Sequence, residues 1–160
     1  MSSSETQRGR ARHYVVTGGC GFIGRHLVAA LVQRGGRVTV LDDLSNSTAE
    51  GLPPQVGLVV ASVTDPDRVG QVMAQADGCF HLAAIASVPQ CEQDWLLAHR
   101  VNSGGTVAVL SAARQTAERA AIPVVFASSA AVYGDQSAFP IAETAQTRPQ
   151  SVYGADKLAS

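Results

Sequence analysis

The chain has 160 residues, 46% of them hydrophobic, with 12 basic against 13 acidic side chains and a formal net charge of -1. That length supports one domain with a real core and is short for two. The balanced charge, with no long run of either sign, leaves no electrostatic case for nucleic acid or an anionic membrane surface. Cysteines 20, 79 and 91 are odd in number and form no Cys-x-x-Cys pair, so they fit a reducing compartment better than a disulfide framework. No apolar run is long enough to span a bilayer, and residues 2–12 contain no apolar signal core. A soluble, cytoplasmic protein with a small-molecule partner is expected.

Residues 1–12 lack apolar periodicity and read as a flexible tail, which leaves 13–160 as the domain. Residues 13–17 predict the first strand. Thr-Gly-Gly-Cys-Gly-Phe-Ile-Gly follows at 17–24. In a phosphate-cradling loop Gly18 turns the chain tightly out of the strand, Gly21 lets backbone N–H groups approach a pyrophosphate, and Gly24 lets the next helix pack closely. Glycine spacing alone also fits a Gly-rich hairpin. Phe22, Ile23, Leu27, Val28, Leu31 and Val32 then recur at helical spacing, and Gly35-Gly36 supplies the stop. The order strand, loop, helix is the one the phosphate reading requires.

A second strand at 37–41 ends on Asp42-Asp43, about twenty residues after the glycine loop, where a dinucleotide fold places an acid for the adenosine ribose. A carboxylate there can accept both ribose hydroxyls and repels a 2′-phosphate. No Arg or Lys follows in Leu44-Ser45-Asn46-Ser47, so NAD is favoured over NADP. A solvated turn acid is the competing reading for Asp42 alone.

Further along, residues 57–61 predict a third strand, and Asp65-Pro66 caps a helix carrying Val69, Val72 and Met73. A fourth strand at 78–83 precedes a long helical region from about residue 92 to 121, interrupted near 103–105, and a fifth strand at 124–127. Strands alternating with helices argue an α/β fold with a Rossmann-type, doubly wound parallel sheet. Cys79 and His81 alternate onto one strand face, but no third or fourth ligand lies nearby, so packing is expected and no metal. Cys20 could have a lowered thiol pKa at a helix N-terminus, or simply be a small residue that fits. Trp95 reads as core or interface.

Ser128-Ser129-Ala130-Ala131-Val132-Tyr133-Gly134 and Tyr153-Gly154-Ala155-Asp156-Lys157 complete a set with the glycine loop, Leu41 to Ser47, His81-Leu82-Ala83-Ala84, and Asn102 with Gly105-Thr106. Together these resemble the extended short-chain dehydrogenase/reductase family, and within it the NAD-dependent nucleotide-sugar 4-epimerases of UDP-hexose type. The resemblance covers residues 13–160. It implies NAD contacts at Gly18, Gly21, Phe22, Ile23, Gly24, Asp42, Asp43, Leu44, Asn46 and Ser47. It extends them to Ser62, Val63, Leu82, Ala83, Ala84, Asn102, Tyr153 and Lys157. It also implies that Tyr153 takes the proton of the sugar 4-hydroxyl while hydride leaves C4, that Ser129 hydrogen-bonds the same oxygen, and that Lys157 holds the nicotinamide ribose. Chemically this is coherent: a phenol ordinarily titrates at about 10, and a cation one helical turn away favours phenolate. Ser87 resembles the segment that approaches the sugar and equally reads as an ordinary loop serine. Tyr133 reads as packing, and Ser128 and Ser129 could cap a strand end.

The sequence departs from the pattern in three places. Ser62-Val63 stands where many members carry an acid for the adenine amino group. Asp156 precedes the motif lysine, where a small hydroxylated residue is common, and places a negative charge near Lys157. The chain also stops three residues after Lys157, whereas extended members continue into further strands and a nucleotide-sugar domain. The expectation is therefore an N-terminal portion, inactive alone, of an enzyme that is homodimeric at full length, with the fifth strand left as an apolar sheet edge. A 4,6-dehydratase is disfavoured, because Ala130-Ala131 stands where those enzymes have Asp-Glu. A reductase or decarboxylating branch, and a non-catalytic NAD-binding module, are the remaining alternatives.

Overall fold

Five strands make one sheet in the order β3-β2-β1-β4-β5, every neighbouring pair parallel, in a computed structural model that describes residues 10–115 and 121–160. They are β1 (His13–Thr17), β2 (Arg37–Asp42), β3 (Gly57–Val60), β4 (Gly78–His81) and β5 (Val124–Phe126). Strand alternation sends Val15, Leu41 and Cys79 to one face of the sheet and Val16, Val38 and Val40 to the other. The first face is covered by α2 (Pro66–Met73) and α5 (Gly105–Gln115) through Val69, Met73, Val109 and Ala112, and the second by α1 (Phe22–Gln33) through Val28. The sheet is doubly wound as expected. Most of the predicted tail lies outside the described residues. At 10–12 the chain is already engaged, with Arg10 3.4 Å from Asp77 and the Arg12 carbonyl accepting from the Arg37 amide.

Among the described residues the expected long helix is four segments, and its positions 116–120 lie outside them. Ser87 and Pro89 start α3 (Val88–Gln93) earlier than predicted. Asp94, at φ -141° and ψ 85°, ends it, and its carboxylate accepts from the Leu97 amide to start α4 (Trp95–His99). A π-helical turn (Arg100–Gly104) then joins α4 to α5, where the sequence suggested an interruption. Gly105 allows this close passage, because a Cβ there would lie 2.5 Å from a Val63 methyl. A short 3-10 turn (Ala130–Tyr133) follows β5, and α6 (Val152–Ala159) packs on that turn, on α4 and on the π-helical turn. Among the described residues β5 pairs only with β4, so it is the sheet edge that the sequence anticipates.

Candidate functional site

The glycine loop after β1 is built by close backbone approach. Gly18 has φ +67°, and a Cβ on it would lie 2.7 Å from the Ala83 nitrogen. Only glycine satisfies both conditions. A Cβ on Gly24 would collide with the Gly18 carbonyl and sit 2.7 Å from the Gly19 Cα, so the first turn of α1 lies directly on the loop. Asp42 ties the loop to the end of β2. Its Oδ2 accepts from the Cys20 amide at 2.9 Å, and its Oδ1 accepts from the Leu44 amide at 3.0 Å and the Ser47 hydroxyl at 2.9 Å. This is more than a solvated turn acid, for Asp42 is buried and cross-links two loops. Asp43 is exposed and accepts from the Ser45 amide and hydroxyl. Burial first, and then the Asp42 carboxylate, push the Cys20 thiol pKa up, so the activated-thiol reading is corrected and Cys20 is a small buried filler.

A cleft of about 340 Å³ opens above these loops. Of the expected cofactor residues, Gly18, Gly21, Asp42, Asp43, Asn46, Ser47, Val63, Leu82, Ala83 and Ala84 line it. Leu41, Ser45, Ala61, Ile85, Gln90, Leu97 and Val101 line it too, unforeseen from the sequence. Phe22, Ile23, Gly24, Leu44, Ser62, Asn102, Tyr153 and Lys157 do not. Phe22 and Ile23 are exposed at the start of α1, and Ser62 shares a 2.9 Å hydrogen bond with Thr64. Leu44 sits at φ +59°, presenting its amide to Asp42.

Asn102 is a buried clamp behind the wall. Its Oδ1 accepts from the Ile85 amide at 2.8 Å and its Nδ2 donates to the Ile85 carbonyl at 3.2 Å, which pins the loop after β4 to the π-helical turn. Ser87 caps α3 by accepting from the Gln90 amide at 3.4 Å. His81 does more than pack: it is hydrogen-bonded to Thr17 at 2.7 Å and to Thr106 at 3.1 Å. Among the described residues no group of three His, Cys, Asp or Glu side chains could hold a metal, and no helix is long and apolar enough to cross a membrane.

The Ser and Tyr-x-x-x-Lys motifs lie on two elements that pack together, the 3-10 turn and α6. Ser129 opens the 3-10 turn by accepting from the Ala131 amide at 3.1 Å, and α6 lies against that turn so closely that a Cβ on Gly154 would be 2.7 Å from the Ala131 carbonyl. Lys157 is 4% exposed and donates to the Ala127 carbonyl at 2.8 Å. Its Nζ is 4.6 Å from the Phe126 ring centroid and 5.8 Å from that of Tyr153. Burial lowers the Lys157 pKa. The concern over Asp156 is resolved by direction, because its Oδ1 lies 2.7 Å from His99 Nδ1 on α4. Asp156 Oδ2 is buried with no hydrogen-bond partner among the described residues. Tyr133 donates to the Glu143 carbonyl at 3.4 Å, a structural role. Trp95 is 62% exposed, so the core alternative for it is overturned by its place on the outer face of α4.

The cradle that excludes side chains, the buried acid tied to it and the cleft they border suit a dinucleotide. The description "NAD dependent epimerase/dehydratase family" matches residues 14–160. The UDP-glucose 4-epimerase of Streptomyces lividans is 38% identical over 153 residues, covering 91% of this chain and 44% of that protein. The crystal structure of UDP-glucose 4-epimerase from Brucella ovis in complex with NAD superposes with a TM-score of 0.84 at 33% identity, covering 92% of this chain and 45% of that one. UDP-glucose 4-epimerase from Thermotoga maritima, solved with UDP-glucose, gives 0.86 at 30% identity, covering 92% and 48%. The chain therefore spans less than half the length of these relatives.

Proposed function

Because the chain belongs to the NAD dependent epimerase/dehydratase family, whose cofactor is NAD, we propose that it carries the cofactor-binding half of an enzyme that inverts a nucleotide sugar at C4 through a transient 4-keto sugar. When bound, NAD supplies a reversible acceptor for the C4 hydride. The observation that supports the reading is the docking of α6, which carries Tyr153 and Lys157, on the 3-10 turn that Ser129 caps.

In this reading Gly18, Gly21 and the start of α1 hold the pyrophosphate, and Asp42 accepts from the adenosine ribose with the acceptor capacity left after its three internal bonds. Tyr153 takes the proton of the 4-hydroxyl. Lys157 has no carboxylate partner among the described residues. Its buried amino group lies 5.8 Å from the Tyr153 ring centroid, so a basic side chain stands beside the residue that receives the proton. Ser129 keeps its hydroxyl proton free for the same sugar oxygen, since its Oγ only accepts from Ala131. Ala130 and Ala131 offer no acid or base for eliminating water, which favours epimerisation over dehydration. Exposed Leu96, Val107, Leu110 and Leu158 on α4, α5 and α6 support a homodimer.

The test is product analysis. UDP-glucose, UDP-N-acetylglucosamine and UDP-glucuronate are incubated with the chain, and with any longer product of its gene, and the C4 epimers are resolved chromatographically. At least one substrate should yield its epimer without added reductant. No epimer from any of the three removes this reading.

A further inference from the structure

His81 is 1% exposed at the end of β4, beneath the cleft, and the hydrogens around it follow from neighbours that have only one role. The Asn102 carbonyl can only accept, so the 2.6 Å bond to it uses the Thr106 hydroxyl proton. Thr106 Oγ1 then has only lone pairs to offer His81 Nε2 at 3.1 Å, which requires a hydrogen on Nε2. At the other end the Ala83 amide can only donate, to Thr17 Oγ1 at 3.2 Å, and Thr17 Oγ1 lies 2.7 Å from His81 Nδ1. A bare Nδ1 accepts the Thr17 proton. A protonated Nδ1 would strand that hydroxyl proton in a residue 1% exposed.

We propose that His81, held as the neutral Nε2–H tautomer, is a positioning residue of the cofactor cleft. Through Thr17 it fixes the Ala83 amide, and through Thr106 it fixes the π-helical turn whose Asn102 side chain clamps Ile85. Ala83 and Ile85 both line the cleft, and the inference rests on reading that cleft as the NAD site. One directed chain of hydrogen bonds thus ties Thr17 at the end of β1, through His81, to the π-helical turn at Asn102. Burial and the nearby Lys157 charge hold the His81 pKa down, in the same direction.

Long-range proton–nitrogen spectra of the full chain near neutral pH should show His81 protonated on Nε2 alone; an Nδ1–H ring or an imidazolium overturns the proposal. Thr106→Val should weaken NAD binding at least about tenfold and speed amide exchange at Ile85 by a similar factor, because it removes two buried hydrogen bonds. Thr106→Ser should restore both. Unchanged affinity and exchange in Thr106→Val, or no recovery in Thr106→Ser, contradicts the positioning role. Should Thr106→Val not fold, Thr17→Val and Thr17→Ser with exchange at Ala83 make the same comparison. A wild-type chain that takes up no NAD, yet shows this tautomer and these exchange changes, sinks the assignment of the cleft to NAD while upholding the His81 chain.

Discussion

The Asp42 carboxylate accepts a hydrogen bond from the Cys20 amide at 2.9 Å, so the acid that ends β2 and the glycine loop that follows β1 are one unit. Asp42→Asn removes the charge and puts an amide N–H where one of three donors now points. Chemical denaturation should show a loss of about 1–3 kcal/mol, the range for hydrogen bonds to a buried charged group. An NAD titration should show at least about tenfold weaker binding. Unchanged stability would mean that the three bonds to Asp42 contribute nothing net.

Gly24→Ala places a methyl group against the Gly18 carbonyl and Gly19. Those are backbone atoms within one loop and cannot move aside independently. Overpacking of this kind costs about 1–3 kcal/mol. The distortion falls on the loop read as the pyrophosphate cradle, so NAD affinity should drop more steeply than stability. Gly70→Ala, where a Cβ meets nothing within 4 Å, is the control and should leave NAD affinity unchanged.

His81 makes stability depend on pH in a defined window. Its pKa is lowered from about 6.5 to about 4, first by burial and then by the Lys157 charge. The unfolded chain binds the extra proton between those values, so stability rises with pH there and is lost as pH falls from about 6.5 towards 4. The full loss is on the order of 3 kcal/mol. Lys157, also lowered by burial, has the same sign at alkaline pH: stability rises between its folded pKa and the ordinary lysine value. Unfolding free energies at several pH values, compared with His81→Gln, should show a shallower slope for the variant between about pH 4 and 6.5. Parallel curves would contradict the assignment.

Much of this arrangement is legible in the residues themselves. Apolar runs mark all five strands, with glycine at or beside β1, β2, β3 and β4 and Pro123 before β5. The Asp42 position follows from its distance to the loop. The helical region after β4 is less legible, because Asp94 both stops one helix and starts the next, and an acid inside an apolar pattern reads as surface. Ser87 with Pro89 was the available signal for the earlier start. Gln90, Leu97 and Val101 could not be placed in the cleft from periodicity, which gives a helix face but not what that face meets. Trp95 shows the same gap in reverse, since a lone large aromatic side chain does not declare whether it lies inside or outside. The tautomer of His81 depends on Thr17 and Thr106, which only the fold brings to it.

His99 and Asp156 should respond unequally to removal. His99→Ala leaves a buried carboxylate with neither oxygen paired to a side chain, and should cost about 1–3 kcal/mol. Asp156→Ser removes the buried charge and its unpartnered Oδ2 while His99, largely exposed, returns to water. It should be neutral or stabilising. Thermal unfolding of the two variants decides the order, and a larger loss from Asp156→Ser than from His99→Ala would reverse the account.

Replacement of Tyr153 by Phe tests the central claim most directly, with C4 epimer formation and bound NAD measured on the same preparation, in whichever form of the gene product turns over. Phe keeps the ring beside Lys157 and deletes only the oxygen that would take the proton. The expected result is retention of NAD with turnover reduced by at least about a hundredfold, the lower range for loss of a general base. Epimer formation at the wild-type rate in Tyr153→Phe would remove the proposed base and, with it, the role assigned to the docking of α6.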